Sequence, residues 1–282
     1  MRYKLLVTLL LGILTLILTG CPPKEIKKEQ PTPSAVQPTP PPTEFKKTGS
    51  ADMFFRAASI DLKAYTKKIE KDAIKQFAAR MKKEKIDILA VQTIVRYPGL
   101  KERIDVFEEI AKQTEMYKAF GETIALSGRQ TGNALYSTYP IRSNDVIEYK
   151  NLKSIAFESA LVGLIDAGTR PLLAVSTRIP DKSPESDVMY CLKTIAKQKI
   201  NYQDTPIAIF GNIFQPEKMQ LIEGMDQPVE YNVVKWKQGG DSQKFPFWFS
   251  SGDLQVQSSS VIETDLGLAL IVEFKLAGQS AK

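Results

Sequence analysis

Apolar runs of strand length alternate with amphipathic helical segments after residue 50, and this alternation constrains the fold more than any other feature. "MFFRAASIDL" (53–62) and "DILAVQTI" (87–94) are two such runs. Between them, residues 67–85 carry apolar side chains at helical spacing, with lysines on the opposite face. Helices interleaved with strands, followed by several adjacent strands, predict an α/β fold with mixed sheets. Because no proline- or glycine-rich stretch interrupts residues 51–282, they are predicted to form one domain.

The same criteria assign most of the other segments. "LKERIDVFEEIAKQTE" (100–115) is predicted as a second helix, and "DVMYCLKTIAKQK" (187–199) as a third, with Cys191 on its apolar face. Further strands are predicted at 132–141, 160–167, 171–179 and 206–214, and within the strand-rich final part from 245 to 276. "GMDQPVEYN" (224–232) and "KQGGDS" (237–242) are predicted as loops.

The first fifty residues have the pattern of a secretion signal followed by a tether. Two basic residues precede an apolar run from Leu5 to Ile17. That run is shorter than the roughly 20 residues of a membrane-spanning helix, so residues 1–20 are predicted to be a signal peptide. Residues 21–50 contain eight of the 17 prolines and show no apolar periodicity. We therefore expect a disordered tether that extends by about 3.1 Å per residue.

The sequence Leu18-Thr19-Gly20-Cys21, where these two segments meet, resembles the lipobox of bacterial lipoproteins. The resemblance implies a lipoprotein signal peptide, and a Cys21 that carries diacylglycerol and an acylated N-terminus after cleavage. Several acyl chains on one residue give a stable anchor in the lipid bilayer. The location implied is the cell envelope, and proline at position 22 favours the outer membrane, facing the periplasm, if the host is Gram-negative. The alternatives are an ordinary secretory cleavage site and a membrane-anchored signal.

The composition excludes several kinds of site. The net charge is +6, but four of these positive charges lie ahead of residue 51. The remaining charges are nearly balanced, so nucleic acid is not expected as a partner. The two cysteines, Cys21 and Cys191, are not expected to form a disulfide. The chain contains no histidine, so a mechanism that needs an imidazole group is excluded.

Six segments, in order, resemble motifs of the endonuclease/exonuclease/phosphatase superfamily, whose members have a deoxyribonuclease-I-like fold. The best match is "GNALYSTYPI" (132–141), which is similar to the family's "GNAxLSRYPI". The other five are "DILAVQTI", "LLAVSTRI", "PIAIFGNIF", "KFPFWFSSGDLQV" and "TDLGLALIVEF". The resemblance covers nearly all of residues 53–276. It implies a four-layer α/β sandwich, in which two facing mixed β-sheets are flanked by helices.

The activity implied by this resemblance is metal-dependent hydrolysis of phosphate esters, but the chain departs from the family at the site positions. The family holds Mg²⁺ with carboxylate and amide oxygens and transfers protons with histidine–aspartate pairs. Thr93 offers a neutral hydroxyl where the metal needs a carboxylate. Arg178 and Phe214 place a fixed cation and an apolar ring where proton transfer and hydrogen bonding are required. The residues at the family's site positions are Asp61, Thr93, Arg178, Asn212, Phe214, Thr264 and Asp265, and Pro246 replaces a further aspartate.

These departures predict a pseudoenzyme: a catalytically inactive domain on a membrane-anchored lipoprotein, which acts in binding or in envelope assembly. We expect no catalytic residue, no metal and no cofactor. The expected partners are the lipid bilayer, through acylated Cys21, and an envelope protein or a phosphorylated ligand.

Two alternatives remain open. In the first, the domain is a divergent phosphoesterase or nuclease in which relocated carboxylates hold Mg²⁺. The candidates for that set are Asp61, Glu158, Asp241 and Asp265. In the second, the domain binds a phosphate or another anion without turnover, through Arg178, Arg129 and Lys244.

Overall fold

A computed structural model describes most of the chain after residue 51. The described residues are 52–62, 69–100, 102–149, 152, 158–168, 170–180, 183–198, 202, 205–213, 229–238, 241–250 and 253–278. For residues 212–213, 229–238 and 241–250 only the backbone is described. The predicted signal peptide (1–20), Cys21 and the tether (21–50) lie outside the described residues, as does Phe214. None of the helices in the described part has the length and apolar character needed to cross a membrane.

Twelve described strands form two six-stranded sheets. Their bounds are β1 Met53–Asp61, β2 Ile88–Arg96, β3 Tyr117–Leu126, β4 Arg129–Ser137, β5 Ile141–Glu148, β6 Ser159–Asp166, β7 Pro171–Ile179, β8 Ile207–Ile213, β9 Val229–Gln238, β10 Asp241–Ser250, β11 Leu254–Thr264 and β12 Gly267–Leu276. The first sheet has the order β11-β12-β1-β2-β4-β3, and the second has the order β5-β6-β7-β8-β10-β9. Both are mixed, because β1 and β2 are parallel in one sheet and β7 and β8 are parallel in the other, while their remaining pairs are antiparallel.

Three helices pack on the outer faces: α1 Lys71–Lys83, α2 Val106–Thr114 and α3 Glu185–Ala196. In α1 the buried side chains recur at helical spacing, as the sequence predicts. Helix α2 begins later than predicted because Asp105 caps it: the Asp105 side chain accepts a hydrogen bond from the Glu108 backbone N–H at 3.2 Å. In α3 Cys191 is fully buried among apolar neighbours, and burial raises the pKa of its thiol, which confirms a packing role.

The apolar core has one layer between the sheets and one under each set of helices. The layer between the sheets combines large side chains such as Phe55, Phe210 and Phe274 with several alanines. Helices α1 and α2 cover the first sheet, and α3 covers the second. This arrangement confirms the predicted four-layer α/β sandwich with two facing mixed sheets flanked by helices.

The sequence analysis misses strands at the sheet edges. Strands β3 and β5 were not predicted, and residues 229–232, predicted as part of a loop, begin β9. All three strands lie at the edge of a sheet and pair on one side only. Edge strands carry many polar residues, so β3 and β5 lack the apolar run of a central strand. The loop prediction for 224–232 is therefore wrong from Val229 onward. The loop prediction for 237–242 is wrong at both ends, because residues 237–238 belong to β9 and residues 241–242 belong to β10.

Asp87 and Asp52 show how burial and ion pairing of an aspartate affect the stability of the fold. Burial raises the pKa of Asp87, although its carboxylate accepts a hydrogen bond from the Arg56 backbone N–H at 2.9 Å. The exposed carboxylate of Asp52 pairs with Lys275 at 2.6 Å, and this contact lowers the pKa of Asp52. A raised folded-state pKa favours folding at low pH, and a lowered one favours folding above the unfolded-state pKa.

We predict opposite effects for two matched substitutions. Asp87→Asn removes a charge that is costly to bury, so it raises the free energy of unfolding at pH 7 by up to about 1 kcal/mol. The gain shrinks as the pH falls through the pKa of Asp87, because the wild-type carboxyl is then protonated. Asp52→Asn lowers stability at pH 7, and this loss disappears at acidic pH. Urea denaturation at a series of pH values measures both. An Asp87→Asn variant that is less stable than the wild type at pH 7 contradicts the raised pKa of Asp87.

Candidate functional site

Four strand ends meet at one end of the sandwich. Parallel pairing aligns Asp61 at the end of β1 with Gln92 in β2, and Arg178 near the end of β7 with Asn212 in β8. Ligands of α/β proteins bind beyond the carboxyl ends of such parallel strands. Glu158, directly before β6, lies at the same end because β6 is antiparallel to β7. We call this end of the sandwich the cleft end.

The central feature of the cleft end is a charged triad of Asp61, Arg178 and Glu158. The Arg178 Nε–H donates to Asp61 Oδ2 at 3.0 Å, and Nη1–H donates to Glu158 Oε1 at 2.5 Å. The exposed fractions of the three side chains are 15% for Asp61, 6% for Arg178 and 19% for Glu158. Removing one partner from a buried ion pair costs about 3–5 kcal/mol, because the remaining charge is left uncompensated. Removing any one of the three side chains would therefore leave a poorly solvated charge without its partner.

Thr93 joins the triad from β2 through a strained backbone. Its Oγ1–H donates to Asp61 Oδ1 at 2.9 Å. Its φ is +56°, which is costly for a β-branched residue. The strain coincides with a β-bulge, because Gln92 and Thr93 lie between the pairs Val91–Ala134 and Ile94–Gly132. A bulge redirects a side chain out of the regular alternation, and here it directs the Thr93 hydroxyl to Asp61.

A buried polar network lies beneath the triad and links the two sheets. The Gln92 side chain accepts from Ser59 Oγ at 3.4 Å and donates from Nε2 to Ser176 Oγ at 3.0 Å. Ser59 and Gln92 belong to the first sheet and Ser176 to the second. Because a buried polar group without a partner costs free energy, this network fixes how the two sheets face each other at the cleft end.

Asn133, the asparagine of "GNALYSTYPI", makes a second link between the sheets. Its Nδ2–H donates to the Ser159 carbonyl at 2.8 Å, and the same carbonyl accepts from Thr177 Oγ1 at 3.1 Å. Thr177 in turn hydrogen-bonds the Tyr149 hydroxyl at 2.6 Å. Ser159 follows Glu158 directly, so Asn133 positions the backbone next to the triad. Sequence reasoning used this motif only as a family signature and missed its structural role.

Among the described side chains, those of Thr264 and Asp265 do not join the triad. Thr264 is the last residue of β11, and Asp265 lies in the turn that leads to β12. Thr264 shapes this turn by donating to the Gly267 carbonyl at 2.6 Å, and Asp265 is exposed. Within the described ranges, neither residue bonds to Asp61, Arg178 or Glu158. The backbone of Asn212 lies beside Arg178, but its side chain lies outside what is described.

Of the two predicted anion-binding side chains that the structure describes, that of Arg178 is at the triad and that of Arg129 is not. Arg129 is exposed at the start of β4, next to the turn that joins β3 to β4. Lys244 lies in β10, and its side chain, like that of Asp241, is not among those described. Two donors of the Arg178 guanidinium already bind carboxylates, so this side chain is committed to Asp61 and Glu158 rather than presented to an anion.

The donor set does not fit the divalent cation that the fold implies. Asp61 and Glu158, two of the four candidate carboxylates, both bind Arg178. Thr93 supplies a neutral hydroxyl, which is a poorer ligand for Mg²⁺ than a carboxylate. In the part of the chain that the structure describes, no three histidine, cysteine, aspartate or glutamate residues are grouped so that they could hold a metal ion.

Comparison with solved structures identifies the fold. An endonuclease/exonuclease/phosphatase from Bacteroides vulgatus is 12% identical, with a TM-score of 0.62, and the match covers 79% of this chain and 99% of that one. The domain has the endonuclease/exonuclease/phosphatase fold. A family protein from Leptotrichia buccalis matches with 14% identity and a TM-score of 0.56, over 78% of this chain and 99% of that one.

The same fold occurs in solved structures with more specific names. The human Nocturnin catalytic domain, solved with a bound sulfate anion, is 12% identical with a TM-score of 0.55, over 79% of this chain and 97% of that one. No family model and no curated protein matches the sequence. At such low identities the structural likeness shows the fold, and the chemistry must be argued from the site.

We predict that two substitutions distinguish the effect of the Thr93 hydroxyl bond on stability from the effect of the backbone strain at Thr93. Thr93→Val keeps the branched side chain but loses the bond to Asp61, so it lowers the free energy of unfolding by about 1 kcal/mol. Thr93→Asn accepts a positive φ more easily and can still donate to Asp61, so it raises stability by up to about 1 kcal/mol.

Guanidinium denaturation measures both variants. Ser127→Asn is the matched control, because Ser127 also has a positive φ, +48°, but lies in the exposed turn between β3 and β4. The change in stability of Ser127→Asn measures how much asparagine relieves the strain of a positive φ where no bond to Asp61 is involved. If Thr93→Val is as stable as the wild type, the hydroxyl bond does not stabilise the cleft end.

Proposed function

We propose that residues 51–282 form a catalytically inactive domain with the endonuclease/exonuclease/phosphatase fold, and that it acts in binding or envelope assembly while Cys21 anchors it to a membrane. The observation that carries this proposal is the pairing of Arg178 with Asp61 and Glu158. Arg178 stands where the family resemblance places a histidine, and it binds a residue at a metal-ligand position of that family.

The chemistry of hydrolysis supports the proposal. Proton transfer near neutral pH needs a group that titrates there, and arginine remains protonated at every physiological pH. The whole sequence contains no histidine that could replace it. Losing one member of a cooperating catalytic set costs orders of magnitude in rate, and here the histidines and the metal glutamate are all replaced.

The beginning of β1 lies at the end of the domain opposite the cleft end. Strand β1 runs from Met53 to Asp61, nine residues or about 30 Å. The chain therefore enters the domain at the end opposite the triad. The described C-terminal segment ends there too, since the Gly278 backbone N–H donates to Asp52 Oδ1 at 3.1 Å. We propose that the cleft end meets an envelope protein, in the periplasm if the host is Gram-negative.

We predict no hydrolysis of phosphate esters. The full-length protein in detergent should release nitrophenol from p-nitrophenyl phosphate and bis-p-nitrophenyl phosphate no faster than a blank, with Mg²⁺, with Mn²⁺ or with EDTA. The control variants are Asp61→Asn at the triad and Asp145→Asn on the exposed side of β5. A metal-dependent rate that Asp61→Asn abolishes and Asp145→Asn retains would support the divergent hydrolase and overturn the proposal.

We predict that Cys21 carries the membrane anchor. In cells fed radiolabelled palmitate, the wild-type protein should be labelled and should sediment with the membranes. Cys21→Ala should lose the label, because the thiol that carries the acyl chains is absent. Cys191→Ala is the matched control and should keep both properties, since Cys191 is buried in α3. Labelled protein in the Cys21→Ala strain contradicts the lipoprotein assignment.

A further inference from the structure

The triad brings two carboxylates together at a place that is mostly closed to water. Asp61 comes from the first sheet, whereas Glu158 and Arg178 come from the second. Two carboxylates that share a poorly solvated site repel each other and disfavour ionisation unless a cation lies between them. The site therefore needs a positive charge whatever it binds, and the guanidinium of Arg178 supplies it.

The oxygen atoms around this charge are of the kind that a divalent cation binds. Asp61 contributes Oδ2 to Arg178 and Oδ1 to Thr93, and Glu158 contributes Oε1. Mg²⁺ and Mn²⁺ bind carboxylate, hydroxyl and water oxygens. In this chain two of these oxygens accept hydrogen bonds from the guanidinium and the third accepts one from the hydroxyl of Thr93.

We propose that Arg178 is a built-in cation that replaces the divalent metal of this fold, and that removing it uncovers a weak divalent-cation site made of Asp61, Glu158 and Thr93. This inference rests on the proposed loss of the family's metal site, and it adds that the guanidinium of Arg178 takes the place of the metal ion. A metal ion dissociates and a histidine titrates, but a guanidinium is covalently attached and permanently charged. The positive charge at the cleft end therefore depends neither on the supply of a metal ion nor on the protonation of an imidazole.

The shape of arginine suits this role better than that of lysine. Its fork directs Nε–H to Asp61 on one sheet and Nη1–H to Glu158 at the start of β6 on the other. Lysine presents a single ammonium on a flexible stem, so it keeps the charge but loses the fixed spacing between its two partners. Arg178→Lys is therefore a conservative variant that separates charge from geometry.

The test is the melting temperature of the full-length protein in detergent, with MnCl₂, MgCl₂ or EDTA. The wild type should shift by less than about 1 °C between EDTA and saturating Mn²⁺. Arg178→Gln should melt about 10 °C lower in EDTA and should recover about 5 °C with Mn²⁺, saturably. Adding Asp61→Asn to Arg178→Gln should abolish the recovery.

Arg142→Gln is the matched control, because Arg142 also pairs with an aspartate, Asp166, but at an exposed position. It should change neither the melting temperature by more than about 1 °C nor the response to Mn²⁺. Arg178→Lys should melt between the wild type and Arg178→Gln and should not respond to Mn²⁺. If Arg178→Gln does not fold, a saturable Mn²⁺ shift in the wild type or in Arg178→Lys still overturns the inference.

Three results overturn the inference. They are a saturable Mn²⁺ shift in the wild type or in Arg178→Lys, an Arg178→Gln variant as stable as the wild type in EDTA, and a destabilised Arg178→Gln variant that Mn²⁺ does not rescue. These readouts contain no hydrolysis assay. If the melting experiments overturn the role of Arg178, the proposed lack of hydrolysis still has its own assay. If the wild type hydrolyses phosphate esters, the melting shifts still test the role of Arg178.

Discussion

The Arg178–Asp61 ion pair crosses from one sheet to the other, and the geometry of the cleft end depends on it. Without the guanidinium, two poorly solvated carboxylates would face each other, at a cost of about 3–5 kcal/mol. The positive φ of Thr93 costs about 1–3 kcal/mol, and its single bond to Asp61 returns only about 1 kcal/mol. The strained bulge in β2 therefore persists because the triad and the Gln92 network together hold it.

The fold itself does not need this site. The large apolar side chains lie between the sheets and under the helices, and none belongs to the triad. Burial of apolar area provides most of the stabilisation of a domain of this size. Residues at the cleft end can thus vary while the sandwich remains, and this chain shares its fold with solved structures at only 9–14% identity.

The sequence predicts the central strands and helices because their apolar patterns are strong. Val188, Cys191, Leu192 and Ile195 form the buried face of α3 as their spacing indicates. The edge strands β3, β5 and β9 escape prediction because one side of each is unpaired and polar residues are accepted there. At the site, the family resemblance gives Asp61, Thr93 and Arg178 as site positions, and the structure brings these three residues together. The pairing of Glu158 with Arg178 could not be foreseen, because Glu158 lies outside every motif and approaches through the sheet register.

The most direct test of this account is a crystal structure of the protein grown with excess Mn²⁺, with data collected for anomalous scattering. The account predicts that Arg178 still binds Asp61 and Glu158 through Nε and Nη1, with no anomalous peak at the triad. A Mn²⁺ ion bound to Asp61, with the Arg178 side chain displaced, would contradict it.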